Sequence, residues 1–170
     1  MSIGRLISIG GILTSIAVIF QSAPIFLPII GLALSPLSTL PIALAAFYNI
    51  SLGITVYFSS ALILALVSLQ ETIILLFTTG LLGIGIGAFL YRKGILVSIL
   101  FSSILLFLGM ILLTFLLGFP VFGDLTSSVS TPLIILVYLS FSLMYAIIWN
   151  ILIRKFINYL ILKNRHTHKC

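Results

Sequence analysis

Few side chains in this 170-residue sequence can do chemistry: it carries two acids, Glu71 and Asp124, and two histidines, His166 and His168. Glu71 follows Gln70 where the fourth apolar run begins. Asp124 stands in "GDLTSSVSTP", beside Thr126, Ser127, Ser128 and Ser130. A carboxylate at a helix start suits the helix dipole, and Gly-Asp suits a turn. Both acids are also candidates to meet a ligand. A third set is aromatic: Tyr138, Phe141, Ser142, Tyr145 and Trp149 fall at offsets 0, 3, 4, 7 and 11, which is one face of a helix. That stripe is either core packing or a wall on which a flat ligand stacks, with Tyr138 and Tyr145 as hydroxyl donors. The candidate binding residues are Gln70, Glu71, Asp124, Tyr138, Ser142 and Tyr145.

Catalytic signals are missing. The chain has no Ser-x-x-Lys, no His-Glu-x-x-His and no paired carboxylates, so no enzyme and no cofactor is expected. The "GIGIG" run at Gly83–Gly87 lacks the strand–turn–helix setting of a nucleotide loop. Gly80, Gly83 and Gly87 share a helix face, which reads as close helix packing or as a hinge. The terminal "NRHTHKC" reads as a solvated end rather than a metal site, and one cysteine excludes an internal disulfide.

The elements that position these residues follow from composition. The chain is 62% hydrophobic and 6% charged, with mean hydropathy +1.43. Ten charged side chains cannot clothe a soluble surface of this size, so the chain reads as an all-α, polytopic membrane protein. Six spans fit: 6–23, within 25–48, 54–69, 72–91, 95–118 and 132–153. They form one transmembrane domain over residues 1–155, and 156–170 is a basic cytoplasmic tail. Met1 to Phe20 shows no small-residue cleavage site and reads as a retained first helix. With six spans and both termini cytoplasmic, all eight Lys and Arg fall inside, and both acids fall outside. Five or seven spans break that separation. The net charge of +6 is therefore read as orientation in a cell membrane, not as nucleic-acid binding.

Two further features bear on function. Pro24 to Pro41 holds four of the six prolines. Proline removes a backbone donor, and non-helical backbone at membrane depth is tolerated only in protein or beside a cavity. The stretch is either a kinked helix with a proline turn or a broken segment that lids an outward pocket. No charge is expected at mid-membrane depth and no internal repeat is evident, against a lone proton pump, ion channel or carrier.

The runs "GILTSIAVIFQSAPIFLPIIG", "PLSTLPIALAAFYNISLG" and "TTGLLGIGIGAFLYRKG" together resemble the membrane-embedded substrate-binding (S) components of energy-coupling-factor vitamin transporters, and equally the related YybS-like bacterial membrane family. The likeness covers about half of the chain, residues 9–94. It implies six helices with both ends inside, an outward pocket, and docking of the first helices on a shared transmembrane coupling subunit driven by two cytoplasmic ATPases. In such components a small-xxx-small alanine pattern on the first helix mediates docking. Here Gly4, Ser8, Gly11 and Ser15 keep the spacing without the alanines. The expectation is a non-catalytic subunit that captures a small molecule, cationic or neutral and aromatic, from outside. The other reading is a membrane scaffold that binds nothing small.

Overall fold

A computed structural model describes residues 3–116, 118 and 131–167. It is helical throughout, with no strand among the described residues. The helices are α1 (Ile3–Phe26), α2 (Pro28–Leu34), α3 (Thr39–Tyr48), α4 (Ile50–Ala65), α5 (Leu69–Phe89), α6 (Ile95–Leu116) and α7 (Thr131–Thr167). Five segments are long and apolar enough to cross a membrane: α1, Pro28–Tyr48, α5, α6 and α7. The sixth apolar helix, α4, has 16 residues, or about 24 Å at 1.5 Å per residue. That is less than the ~30 Å hydrocarbon core. Large aliphatic side chains such as Ile12, Leu62, Leu96 and Leu136 face outward, as a lipid-facing surface requires.

Helix α5 is the centre. One core cluster joins it to α3, α6 and α7 through Ala43, Leu82, Leu106 and Tyr138. A second joins it to α1, α3 and α4 through Ala17, Ile42, Val56 and Leu75. Its glycines allow this. A Cβ at Gly83 or Gly87 would strike the Thr39 or Ala43 carbonyl of α3, and one at Gly85 would crowd Ser102 of α6. The Gly80–Gly83–Gly87 face is thus close packing, against Tyr57 and α3.

The proline stretch is a broken segment. Pro24 lies inside the last turn of α1, and the chain reverses at Leu27. Pro28 opens α2, and a 3-10 turn at Ser35–Ser38 carries Pro36 at its start. Gly31 faces the backbone of Ala23 and Pro24 so closely that no Cβ fits. The break folds back on the end of α1.

Two sequence expectations are corrected. The turn at Tyr48–Gly53 is a single extended residue, Asn49, and α4 begins at Ile50 and ends at Ala65 instead of spanning 54–69. The Asn49 side chain accepts from the Ser51 amide at 3.0 Å, and this cap starts the helix early. Helix α7 does not stop at Ile153 but continues to Thr167. No Gly or Pro follows Pro132 in it, so nothing ends it where the apolar run ends. Trp149 and Asn150 are buried. Asn150 accepts from Ser98 at 2.5 Å and donates to Ser102 at 3.2 Å, tying α7 to α6.

Contacts at one end of the bundle gather the basic segments. The Phe47 ring meets the Tyr91 ring at 4.9 Å. The Tyr91 hydroxyl donates to Asn158 at 2.6 Å and lies 3.4 Å from the Arg154 carbonyl. Burial pushes the Tyr91 phenol above its ordinary value, and the Arg154 charge opposes this.

Candidate functional site

At the other end, the start of α5 meets the end of α1. Ser68 caps α5, its hydroxyl accepting from the Glu71 amide at 3.4 Å. The sequence Ser-Leu-Gln-Glu has capping-box spacing. Here the Glu71 carboxylate turns inward instead and accepts from the Gln21 amide nitrogen at 2.9 Å. Gln21 is fully buried. Its carbonyl oxygen accepts from Ser38 at 2.7 Å and from Thr79 at 3.1 Å. Two hydroxyl donors on the oxygen fix the amide's orientation and aim its N–H at Glu71. One side chain thereby links α1, the 3-10 turn and α5.

Below Glu71, α5 widens to a π turn at Leu75–Thr79. The Gly80 amide donates to the Leu75 carbonyl, an i→i+5 bond. A π turn that returns to α leaves one carbonyl short of a backbone donor. Within this turn the Tyr57 hydroxyl donates to the Leu76 carbonyl at 2.8 Å. The widened turn brings Thr78 and Thr79 to the same cavity as Glu71.

That cavity measures about 450 Å³. Glu71, Gln70, Thr78 and Thr79 give it a polar side, and Pro24, Ser35 and Pro36 of the broken segment close another. Leu106, Met110 and Leu113 of α6 form the apolar wall, and Phe141 and Tyr145 of α7 complete it. The two rings stack at 5.5 Å and 22°. Glu71 is only 9% exposed, so its carboxylate belongs to the cavity rather than to the outer surface.

Of the predicted binding residues, Gln70, Glu71 and Tyr145 line this cavity, Gln70 at its exposed rim. Tyr138 is buried among α6 and α7, its hydroxyl 2.7 Å from that of Thr114. Ser142 is buried and donates to the Leu139 carbonyl at 2.9 Å. Neither is among the cavity's lining residues. Asp124 lies outside the described residues. Sequence reasoning missed Gln21, Ser38 and Thr79. Gln21 had a signal: it is the one amide in the first apolar run.

The first-helix residues Gly4, Ser8, Gly11 and Ser15 are all exposed, and a Cβ at Gly4 or Gly11 would meet nothing. Gly11 and Ser15 border a shallow groove between α1 and α4, with Thr14, Ser51 and Thr55. The hydroxyls of Ser15 and Thr55 donate to carbonyls of their own helices. Among the described residues no group of His, Cys, Asp and Glu could hold a metal ion.

Fold and site together define an all-helical chain with five membrane-length apolar helices and a cavity that carries a buried carboxylate. Set against protein-family models, curated proteins and solved structures, the chain matches none of them.

Proposed function

We propose that the chain is a six-span, non-catalytic membrane subunit that captures a small molecule from the outer side for uptake. One observation carries this reading: Glu71, at the start of α5, is buried in a cavity and held there by Gln21. A carboxylate kept only for topology would face water. Burying it costs free energy that one amide donor only partly returns, and functional sites are where such costs are retained. The cavity's size falls within the range of small-molecule sites, ~300–1,000 Å³. The α4 helix is the sixth span, short enough to need local thinning of the bilayer.

The resemblance to transporter substrate-binding components supplies the partners: a shared transmembrane coupling subunit and two cytoplasmic ATPases. The exposed Gly4–Ser8–Gly11–Ser15 face is the docking surface in this reading, since small residues let helix backbones approach closely. The same free face also favours the competing reading, a membrane scaffold without a ligand. A tagged pulldown from native membranes in mild detergent, read by mass spectrometry, separates them. Recovery of a multi-span subunit with two ATPases is expected. Recovery of other membrane proteins without any ATPase would replace capture by the scaffold.

A further inference from the structure

We infer that the cavity takes an organic cation, with its charge against Glu71 and its apolar or aromatic body against Phe141, Tyr145 and the α6 wall. The inference rests on the capture reading and narrows its substrate class.

The first argument is charge balance. Glu71 is the sole acidic side chain among the described residues. Its carboxylate has a single hydrogen-bond donor there, the Gln21 amide. No Lys, Arg or His is among the residues lining the cavity. Among the described cations, Arg92, Lys93, Arg154 and Lys155 belong to the opposite end, where Tyr91 meets α7, and Arg5 stands in the first turn of α1, the far end of that helix from Gln21. A buried ionised carboxylate without a partner is strongly disfavoured. A cationic ligand removes that cost on binding.

The second argument is the shape of the donor set. Gln21 cannot turn to offer its oxygen to a ligand, because Ser38 and Thr79 already donate to that oxygen. It holds one carboxylate oxygen, Oε2, and the other has no donor among the described residues. The cavity therefore presents an acceptor, which an ammonium or amidinium group satisfies. A carboxylate or phosphate would meet a like charge and no cationic side chain.

The third argument is the opposite wall. The stacked Phe141 and Tyr145 rings border the same space as Glu71. Aromatic faces attract cations and flat apolar bodies alike. A carboxylate, an amide that holds it and an aromatic pair, set around an apolar space, form a site for a cation with a greasy body.

The test is a binding titration on detergent-purified full chain with three matched probe series. The cations are benzyltrimethylammonium, tryptamine and 1-methylnicotinamide. The carboxylates are phenylacetate, indole-3-acetate and nicotinate. The neutral probes are benzyl alcohol, indole and nicotinamide. At least one cation is expected to bind more tightly than its matched carboxylate and neutral partner. Glu71→Gln, which keeps the shape and an acceptor for Gln21, is expected to weaken that binding about ten-fold or more. Phe141→Leu serves as a second variant should Glu71→Gln not fold, and is expected to weaken the cation by a smaller factor while retaining the preference. Carboxylates binding best, or cations binding Glu71→Gln as tightly as the parent, overturns the cation and leaves capture standing. Silence from every series overturns capture and this inference together.

Discussion

Gln21 sits in the apolar run "AVIFQSAP" with no exposure, and three polar groups from two other elements converge on it. Replacing it by leucine keeps the volume and strands all three: Ser38 and Thr79 lose their acceptor, and Glu71 its donor. An unsatisfied buried group costs about 1–3 kcal/mol, and relaxation recovers part of that, so Gln21→Leu should lower stability by about 2–4 kcal/mol. Thermal unfolding in detergent should show a drop of several degrees. A variant as stable as the parent would mean that the network contributes nothing. Ser38→Ala, which removes one donor of two from the Gln21 oxygen, should cost about 1 kcal/mol by the same measurement. Half of this site was legible in the sequence. Glu71, Gln70 and Tyr145 stood out because charge and aromatic spacing are visible in one dimension. Tyr138 and Ser142 share the Tyr145 stripe yet turn to α6 and to their own helix. A helix face is wider than a cavity, and period alone does not say which part of it meets the opening.

The π turn of α5 decides where the cavity lies, and no local pattern in "LLFTT" announces it. It persists because tertiary partners complete it. Tyr57 donates to the Leu76 carbonyl, and Gly109 of α6 lets the Phe77 carbonyl approach where any side chain would collide. Tyr57→Phe retains the ring against Gly80 but removes the hydroxyl donor to that carbonyl. A loss of about 1 kcal/mol is expected, with the Thr78 and Thr79 side of the cavity loosened. Faster hydrogen exchange over residues 75–79, relative to the rest of α5, is the specific sign. Unchanged exchange there would show that another donor serves Leu76. Gly109→Ala is the harsher change, because the contact is backbone and cannot rotate away. About 1–3 kcal/mol should be lost as α6 retreats from α5, visible in the unfolding midpoint. The glycine-rich face of α5 was readable as close packing because three glycines at helical spacing have few other uses in a membrane. Gly109 stands alone in its run, and its role depends on a helix that is distant in sequence.

At the scale of the molecule, charge and geometry sort the chain the same way. The turn after α5 and the basic end of α7 meet through Tyr91, while the carboxylate of α5 meets the end of α1. The charge pattern of the sequence made this division legible without any contact, because lysine and arginine favour the cytoplasmic side wherever the helices pack. The length of α7 was not legible, since hydropathy marks where the apolar surface ends and not where the helix does. In the proposed orientation both termini lie inside and the segment holding Asp124 lies outside. The chain offers its own probe, for Cys170 is its only cysteine. A membrane-impermeant maleimide should leave Cys170 unlabelled in intact cells and label it once the membrane is permeabilised. In a Cys170→Ser background, Ser127→Cys should label in intact cells. The reverse pattern would turn the molecule over and place Glu71 on the cytoplasmic side, and a cavity opening there could not capture anything from outside. Labelling of both positions from outside would instead mean that α7, the apolar helix between them, does not cross the membrane.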